Sequence, residues 1–255
     1  MSAPLVLSLF PGIGLLDMAF EEAGCCVVRG PDLLWGKCVR GFRAPAGRFD
    51  GVIGGPPCKR WSPLVNVVRA VHGEASVAPD LIPEFERIVG EARPAWFLME
   101  NVERAPLPCV PGYIVRDEIV NNRWCGGEQN RARRFCFGTA EGRRLAVVTE
   151  ALEPVGYKHA VTTNSGGRRK VLVLDAEGHA RGKQGHADEH RLQYRPIEEM
   201  AADQGVPPAF MAALVEHGAF TARALRTGIG NGVPLPMGRA VAHAVMAAVA
   251  GRAAP

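Results

Sequence analysis

Residues 5–14 of the sequence, LVLSLFPGIG, predict how the chain begins to fold. The apolar run at residues 5–10 has the length of a buried strand, and the Pro-Gly pair after it ends the strand. Residues 15–23 then have the character of a helix, which stops at Gly24, a residue that accepts the backbone conformation found at helix ends. A strand, a glycine turn and a helix in this order are typical of the first unit of an open α/β sheet.

Apolar runs suited to further strands recur along the first half of the chain. Between two of them, Ile82, Phe85, Ile88 and Val89 recur at helical spacing, and Pro83 falls in the first turn, where proline is tolerated. Alternating strands and helices predict a doubly wound, Rossmann-like α/β fold with a parallel sheet. The predicted buried strands are residues 5–10, 25–28, 51–53, 95–99 and 134–137.

Residues 139–194 differ in composition from the rest of the chain. They are rich in Gly, Arg, Lys and His, and their one clear apolar run, residues 171–174, is strand-like. Helical spacing returns after this segment and continues to the C-terminal region. We therefore predict a large domain formed by residues 1–138 and 195–255, interrupted by a small insert at residues 139–194.

Composition narrows the class of protein. The chain has 255 residues, of which 47% are hydrophobic and 22% charged, as in ordinary globular proteins. No run approaches the roughly 20 apolar residues that span a membrane, and the apolar N-terminal run lacks the basic leader of a signal peptide. The seven cysteines form no CxxC pair and show no zinc-site spacing, which argues against a disulfide framework and a structural metal. A net charge of +4 fits a solvated surface as well as nucleic-acid binding.

Residues 54–58, GGPPC, bring a thiol to the end of a predicted buried strand. Open α/β sheets bind ligands at the carboxyl ends of their strands. Two prolines stiffen the chain before Cys58 and fix the direction of its sulfur. An inert core cysteine would not account for the glycines and prolines beside it, so we predict a reactive thiol.

Acidic and basic residues are expected at the same edge of the sheet. Glu100 ends another apolar run, where an acid caps a helix, pairs with arginine or donates a proton with a raised pKa. Arg131 and Arg133 are two residues apart on a predicted strand, so their side chains are expected on the same face. There they either reach one acidic or phosphate partner or form a charged edge of the strand that is exposed to solvent. Asp32 follows the second predicted strand, where an acid binds ribose hydroxyls or lies solvated in a loop.

The order of these segments resembles the DNA cytosine-5 methyltransferase family over residues 5–245, nearly the whole chain. Six motifs occur in the family's order, with a variable insert between the fourth and the fifth. The matching motifs are residues 10–14 (FPGIG), 56–58 (PPC), 100–102 (ENV), 129–133 (QNRAR), Glu199 with 204–207 (QGVP), and 230–234 (GNGVP).

The resemblance implies methyl transfer from S-adenosylmethionine to carbon 5 of a cytosine that has been flipped out of double-stranded DNA. In this family the cysteine matching Cys58 adds to carbon 6 of the base, Glu100 protonates ring nitrogen 3, and Arg133 holds the carbonyl oxygen, with Arg131 in the same catalytic set. Neither thiol addition nor transfer from a sulfonium requires a metal. We therefore expect a cytoplasmic, nucleoid-associated monomer without a metal or a membrane, and leave a partner nuclease and the target sequence open.

The resemblance also implies which residues hold the cofactor and the DNA. Lys59 and Ser62 are expected near the target nucleotide, and the insert is expected to choose the target sequence without doing chemistry. The residues expected to hold S-adenosylmethionine are Phe10, Gly12, Ile13, Asp32, Pro57, Leu81 and Asn231, and those expected to contact DNA from the insert are Asn164, Arg168, Arg169 and Lys170.

Four residues depart from the family pattern, among them Glu198, which stands where arginine is frequent. Leu15 stands where a third glycine is common and is expected to crowd the cofactor turn. Leu33 stands where an aromatic residue often stacks on adenine, and Lys59 replaces the usual glutamine. The segment from Gly36 to Asp50 is short and holds no residue that we assign as the acid of the third strand, so adenine recognition is the least defined part of the predicted site.

Two other functions fit the same resemblance. One branch of the family modifies RNA and typically carries a Cys-Phe-Thr signature in its variable region, which residues 139–194 lack. A catalytically silent DNA-binding regulator would not need Cys58, Glu100, Arg131 and Arg133 together.

Overall fold

Ten strands and six α-helices make up the computed structural model in the parts of the chain it describes. These are residues 2–61, 65, 70, 77–150, 158–161, 168–170, 192–194 and 196–251. The strands are β1 (Leu5–Leu9), β2 (Cys26–Arg29), β3 (Gly51–Gly54), β4 (Trp96–Asn101), β5 (Ile114–Asn121), β6 (Gln129–Asn130), β7 (Ala132–Thr139), β8 (Lys158–His159), β9 (Arg168–Lys170) and β10 (Leu192–Tyr194). The helices are α1 (Leu15–Glu22), α2 (Ile82–Ala92), α3 (Ile197–Asp203), α4 (Pro208–Glu216), α5 (Ala222–Asn231) and α6 (Leu235–Val249).

One six-stranded sheet, in the order β2-β1-β3-β4-β7-β5, organises the large domain. Strands β2, β1, β3 and β4 run parallel, as predicted, and β7 is antiparallel to both of its neighbours. The expectation of an all-parallel sheet is therefore wrong for the predicted strand at residues 134–137, which lies in β7. Strand β2 was predicted to be buried but forms an edge of the sheet, where Val28 is exposed.

Helices cover both faces of the sheet, which confirms the doubly wound α/β fold. On one face Phe20 of α1 stacks on Trp96 of β4, in a core that also includes Val241 of α6. On the other face Phe85 of α2 packs edge-on against Phe97, the next residue along β4. Because neighbouring residues of a strand point to opposite faces, a strand covered on both sides is apolar throughout.

The predicted insert begins at the six-stranded sheet. Thr139, its first predicted residue, is the last residue of β7, and β8 pairs in parallel with β6. Strand β9, which contains Arg168, Arg169 and Lys170, pairs antiparallel with β10. Ser62, Asn164 and the predicted strand at residues 171–174 lie outside the described residues. In the described part of the chain no single helix is long and apolar enough to cross a membrane, although α5 and α6 together meet that test with a bend of 46° between them.

Candidate active site

Close packing of three strands fixes the turn that carries Cys58. A Cβ at Gly54 would stand 2.7 Å from the carbonyl oxygen of Leu9, and a Cβ at Gly55 would stand 3.0 Å from Oε2 of Glu100. These glycines therefore allow β1 and β4 to approach the end of β3. Asn101 Nδ2 also donates to the carbonyl oxygen of Pro56 at 3.1 Å, which ties the two prolines to β4.

Cys58 lies half-buried at the end of this turn. Its carbonyl oxygen accepts a 2.9 Å hydrogen bond from the backbone N–H of Trp61, which closes a single 3₁₀ turn at Lys59–Trp61. Burial raises the pKa of the Cys58 thiol and the charge of Glu100 raises it further, whereas the guanidinium groups of Arg133 and Arg131 oppose the shift. The unliganded site therefore favours the thiol over the thiolate.

Glu100 and Arg133 form an ion pair beside the thiol. Arg133 Nε lies 2.9 Å from Glu100 Oε1, and Glu100 is buried at the end of β4. Burial raises the pKa of Glu100, while the charges of Arg133 and Arg131 lower it. The structure thus brings together a thiol, a carboxyl group with a raised pKa and a guanidinium group at one edge of the sheet.

Arg131 does not share the partner of Arg133. Its Nη1 donates to the carbonyl oxygen of Val161 at 2.9 Å, and its Nη2 donates to those of Gly230 at 3.1 Å and Gly232 at 3.2 Å. The expectation that both arginines reach one acidic partner is wrong, because Arg131 stands in the break between β6 and β7, where strand alternation does not apply. Burial and the nearby Arg133 lower the pKa of Arg131 to about 9, which leaves its guanidinium charged at neutral pH.

The turn after β1 has the backbone conformation that requires glycine. Gly12 and Gly14 have φ angles of 56° and 85°, and Phe10 also has a positive φ of 55°. A non-glycine residue in this region costs about 1–3 kcal/mol, so the surrounding structure must hold Phe10 in place. In the described part of the chain, and apart from the two neighbours of Gly12 in sequence, no atom lies within 4 Å of where a Cβ at Gly12 would stand, so the space beside this part of the turn is open.

Asp32 joins this glycine turn to the end of β2. Its Oδ2 accepts from the backbone N–H of Gly12 at 2.9 Å, and its Oδ1 accepts from that of Leu34 at 2.7 Å. Each carboxylate oxygen has a second lone pair for another donor. Asp32 is therefore not a freely solvated loop residue but a half-buried part of the turn.

Trp35 is a residue of this region that the sequence analysis missed. Its indole Nε1 donates to the carbonyl oxygen of Gly12 at 2.7 Å, and its ring meets Phe220 edge-on at 4.8 Å. The indole is still 44% exposed, so it presents an aromatic surface beside the turn. The sequence does contain a signal for this residue, an aromatic side chain three positions after Asp32. The family pattern points instead to the position directly after Asp32, which is Leu33.

The remaining predicted cofactor residues differ in exposure. Ile13 and Leu81 are buried, whereas Pro57 and Asn231 are exposed. Leu15 is also buried and lies against Gly232, where a Cβ would stand 2.8 Å from Leu15 Cδ1. The expectation that Leu15 crowds the cofactor turn is therefore wrong, because its side chain points into the core. Among the described residues no three His, Cys, Asp or Glu side chains are grouped so as to hold a metal ion.

Comparisons with known proteins agree with this arrangement. The model of the C-5 cytosine-specific DNA methylase family matches residues 37–106. Type II methyltransferase M.HgiGI of Herpetosiphon aurantiacus is 30% identical over 122 residues, which are 40% of this chain and 92% of that protein. Type II methyltransferase M.HgiDI of the same organism is 28% identical over 187 residues, 61% of this chain and 58% of that protein.

The fold is shared with a solved structure of low sequence identity. Methyltransferase EhMeth of Entamoeba histolytica superposes with a TM-score of 0.62 at 13% identity, over 98% of each chain. The chain spans about half the length of the curated relatives that it matches over the longest stretches. On the sequence match to M.HgiGI and the family model together, the chain belongs to the C-5 cytosine-specific DNA methylase family.

Proposed function

We propose that the protein transfers a methyl group from S-adenosylmethionine to carbon 5 of a flipped cytosine in DNA, through a covalent bond to Cys58. The observation that carries this proposal is the convergence of Cys58 with the Glu100–Arg133 pair at one edge of the sheet. The family description and the names of the relatives as Type II methyltransferases favour DNA as the substrate.

The chemistry begins with the base, because carbon 5 of cytosine is a poor nucleophile. The Cys58 thiolate forms an Sγ–C6 bond while the Glu100 carboxyl proton moves to ring nitrogen 3, which makes carbon 5 enamine-like. S-adenosylmethionine, when bound, supplies the electrophilic methyl group. Once carbon 5 has taken the methyl group and the cofactor is left as a neutral thioether, water takes the proton from carbon 5, and that C–H electron pair forms the C5–C6 double bond and expels Cys58 Sγ as the thiolate. Ring nitrogen 3 returns its proton to Glu100, which restores the neutral aromatic ring.

The pKa shifts in the site suit these two roles. Because its pKa is raised, Glu100 holds a proton in a larger fraction of molecules at a given pH than an ordinary glutamate does. After the proton has moved to the base, Arg133 stabilises the carboxylate that remains. The raised pKa of Cys58 means that the thiol must lose its proton as the base binds, and the charges of Arg133 and Arg131 favour that loss.

The glycine turn fits the cofactor. The open space beside Gly12 admits a ligand close to the backbone, and the Asp32 carboxylate at the end of β2 has lone pairs for ribose hydroxyls. Phe10, at the start of the turn, is only partly buried. The residues that would hold S-adenosylmethionine are Phe10, Gly12, Ile13, Asp32, Pro57, Leu81 and Asn231.

We expect Asp32→Ala to weaken S-adenosylmethionine binding about 10- to 150-fold, because a hydrogen bond to a charged group contributes roughly 1.5–3 kcal/mol. Isothermal titration calorimetry without DNA measures this effect. Asp32→Asn is the matched control, since its amide oxygen still accepts one backbone N–H of the turn, and we expect an intermediate affinity. Wild-type affinity in Asp32→Ala would contradict the assignment of Asp32 to the ribose.

DNA contacts are proposed at two places along the chain. Lys59 is exposed directly after Cys58, where its ammonium group would meet a DNA phosphate. Arg168, Arg169 and Lys170 lie together in β9, and arginine reads guanine through two parallel hydrogen bonds. We propose that these three residues, together with Asn164 of the insert and with Ser62, choose and hold the target.

Bisulfite sequencing tests the proposed function. Genomic DNA from a host without cytosine methylation of its own should gain 5-methylcytosine in one fixed sequence context when the protein is expressed, and should not when Cys58→Ala is expressed. Methylated RNA beside unmethylated DNA would overturn the choice of substrate.

The same sequencing tests the role of Arg168 and Arg169. If the insert reads bases, Arg168→Ala or Arg169→Ala should allow methylation in additional sequence contexts, whereas an equal loss of methylation in all contexts would assign these side chains to phosphates.

A further inference from the structure

Val161 connects a described segment of the insert, residues 158–161, to the rest of the fold. Its backbone N–H donates to Gln129 Oε1 at 2.8 Å, and its carbonyl oxygen accepts from Arg131 Nη1 at 2.9 Å. Its side chain is fully buried in the same hydrophobic cluster as Ile13 of the glycine turn and Ile229 of α5. The insert therefore enters the fold between the glycine turn and the strands that lead to Arg133.

Arg131 extends this connection to the end of α5. Its Nη2 donates to the carbonyl oxygens of Gly230 and Gly232, which stand on either side of Asn231, a proposed cofactor residue. Arg131 is itself 3% exposed, and its hydrogen bonds within the described part of the chain all go to main-chain carbonyl oxygens. A planar guanidinium group holds three carbonyl oxygens in fixed directions, which a lysine ammonium group does not.

Other contacts hold the same segment independently of Arg131. Strand β8 pairs with β6, and Lys158 Nζ lies 3.0 Å from Asp203 Oδ1 and 2.5 Å from Glu128 Oε2. Gln129 Nε2 donates to the carbonyl oxygen of Asp203. Because these bonds would remain after a change at Arg131, the segment stays attached and the specific effect of Arg131 becomes measurable.

We propose that Arg131 is a positioning residue that joins the insert to the cofactor side of the site and to the strand carrying Arg133, and that it does not touch the base. This inference rests on the proposed function, since it concerns the same site. If the insert moved when it bound DNA, the movement would reach Arg131 through its hydrogen bond to Val161. From Arg131 it would reach the carbonyl oxygens on either side of Asn231 through hydrogen bonds, and Arg133, two residues further along the chain, through the backbone. Sequence recognition would then be coupled to the alignment of cofactor and target base.

Arg131→Lys tests this coupling. We expect S-adenosylmethionine to bind about tenfold more weakly in the absence of DNA, within the range usual for coupled sites. DNA that contains 5-fluorocytosine traps the enzyme covalently, so the trapped fraction gives the number of active molecules. With kcat calculated per active molecule, we also expect KM for DNA to rise by a larger factor than kcat falls. Arg133→Lys should show the reverse, with unchanged cofactor affinity and loss of trapping.

Arg87→Lys is the matched control. Arg87 Nη1 and Nη2 also donate to main-chain carbonyl oxygens, those of Phe42 at 3.1 Å and Val39 at 3.3 Å, but Arg87 lies on α2, outside the insert and outside the residues proposed to touch cofactor or DNA. We expect it to leave cofactor affinity and KM unchanged, which separates the coupling from a general loss of stability. If Arg131→Lys does not fold, Gln129→Met breaks the bond to Val161 from the other side and should shift cofactor affinity in the same direction.

The inference is overturned if Arg131→Lys, or Gln129→Met in its place, folds and binds S-adenosylmethionine with wild-type affinity. It is also overturned if Arg131→Lys loses covalent trapping while its affinity for the cofactor is unchanged. Wild-type protein that binds no S-adenosylmethionine would instead refute the proposed function. Wild-type protein that methylates DNA beside a variant with unchanged affinity would refute only the role of Arg131.

Discussion

We expect Cys58→Ala to abolish the covalent adduct with 5-fluorocytosine DNA and to lower the methylation rate more than about a thousandfold, because the covalent nucleophile is removed. Fluorine at carbon 5 cannot leave as a proton does, so the Sγ–C6 bond persists through denaturation. The thiol lies at the end of the Pro56–Pro57 turn, held to β4 by Asn101. A second thiol, Cys136, also interacts electrostatically with Glu100, but it is fully buried within β7. The adduct is measured as a band shifted on a denaturing gel.

Two cysteine variants control this experiment. Cys109→Ala removes an exposed thiol and should trap DNA as the wild type does. Cys58→Ser keeps the size of the side chain but supplies a hydroxyl group that ionises far above neutral pH, so we expect neither adduct nor turnover. Normal methylation by Cys58→Ser, or a full adduct in Cys58→Ala, would show that another residue attacks the base.

The positions of Cys58 and Glu100 were predictable because both follow buried strands of a parallel sheet. Strands that run parallel end at the same edge, so two chemical groups that each terminate an apolar run must lie near each other. The Glu100–Arg133 pair required only that β7 lie beside β4. Strand β5 escaped prediction because it forms the sheet's other edge and carries charged residues, with only Val120 buried.

The bonding of Arg131 was not predictable from the sequence. A two-residue strand, β6, precedes it, and no pattern of apolar residues marks the break before β7. Its partners, Val161, Gly230 and Gly232, lie 30 to 101 positions away in sequence and offer only backbone carbonyl oxygens, which every residue possesses. Trp35 was missed for a related reason: its contact with Gly12 depends on how the chain turns after Asp32, not on residue type at a fixed spacing.

Glu100→Gln should reduce turnover by about 10²- to 10⁴-fold, the usual contribution of a positioned general acid. Glutamine donates a hydrogen bond to ring nitrogen 3 but has no proton to give, and it leaves Arg133 without its carboxylate partner. The substitution also removes a negative charge that raises the pKa of Cys58, so the thiolate should form at lower pH than in the wild type. Single-turnover methylation and trapping, each measured across pH, separate these effects.

The direction of the pH dependence follows from the two raised pKa values. In the wild type, the protonated fraction of Glu100 falls as pH rises through its raised pKa, while the thiolate fraction of Cys58 rises toward its own raised pKa. The two trends oppose each other and give a broad maximum in the single-turnover rate.

In Glu100→Gln the residue at position 100 no longer titrates, so the rate should rise with pH as the Cys58 thiolate forms. It should level off at a lower pH than the pKa of the wild-type thiol would give, because the charge of Glu100 no longer raises that pKa. Glu100→Asp is the control that restores a carboxyl group at a shorter reach, and it should recover part of the maximum. A Glu100→Gln profile with the wild-type shape would mean that Glu100 neither donates the proton nor acts on Cys58, and that the ion pair with Arg133 only holds β4 and β7 together.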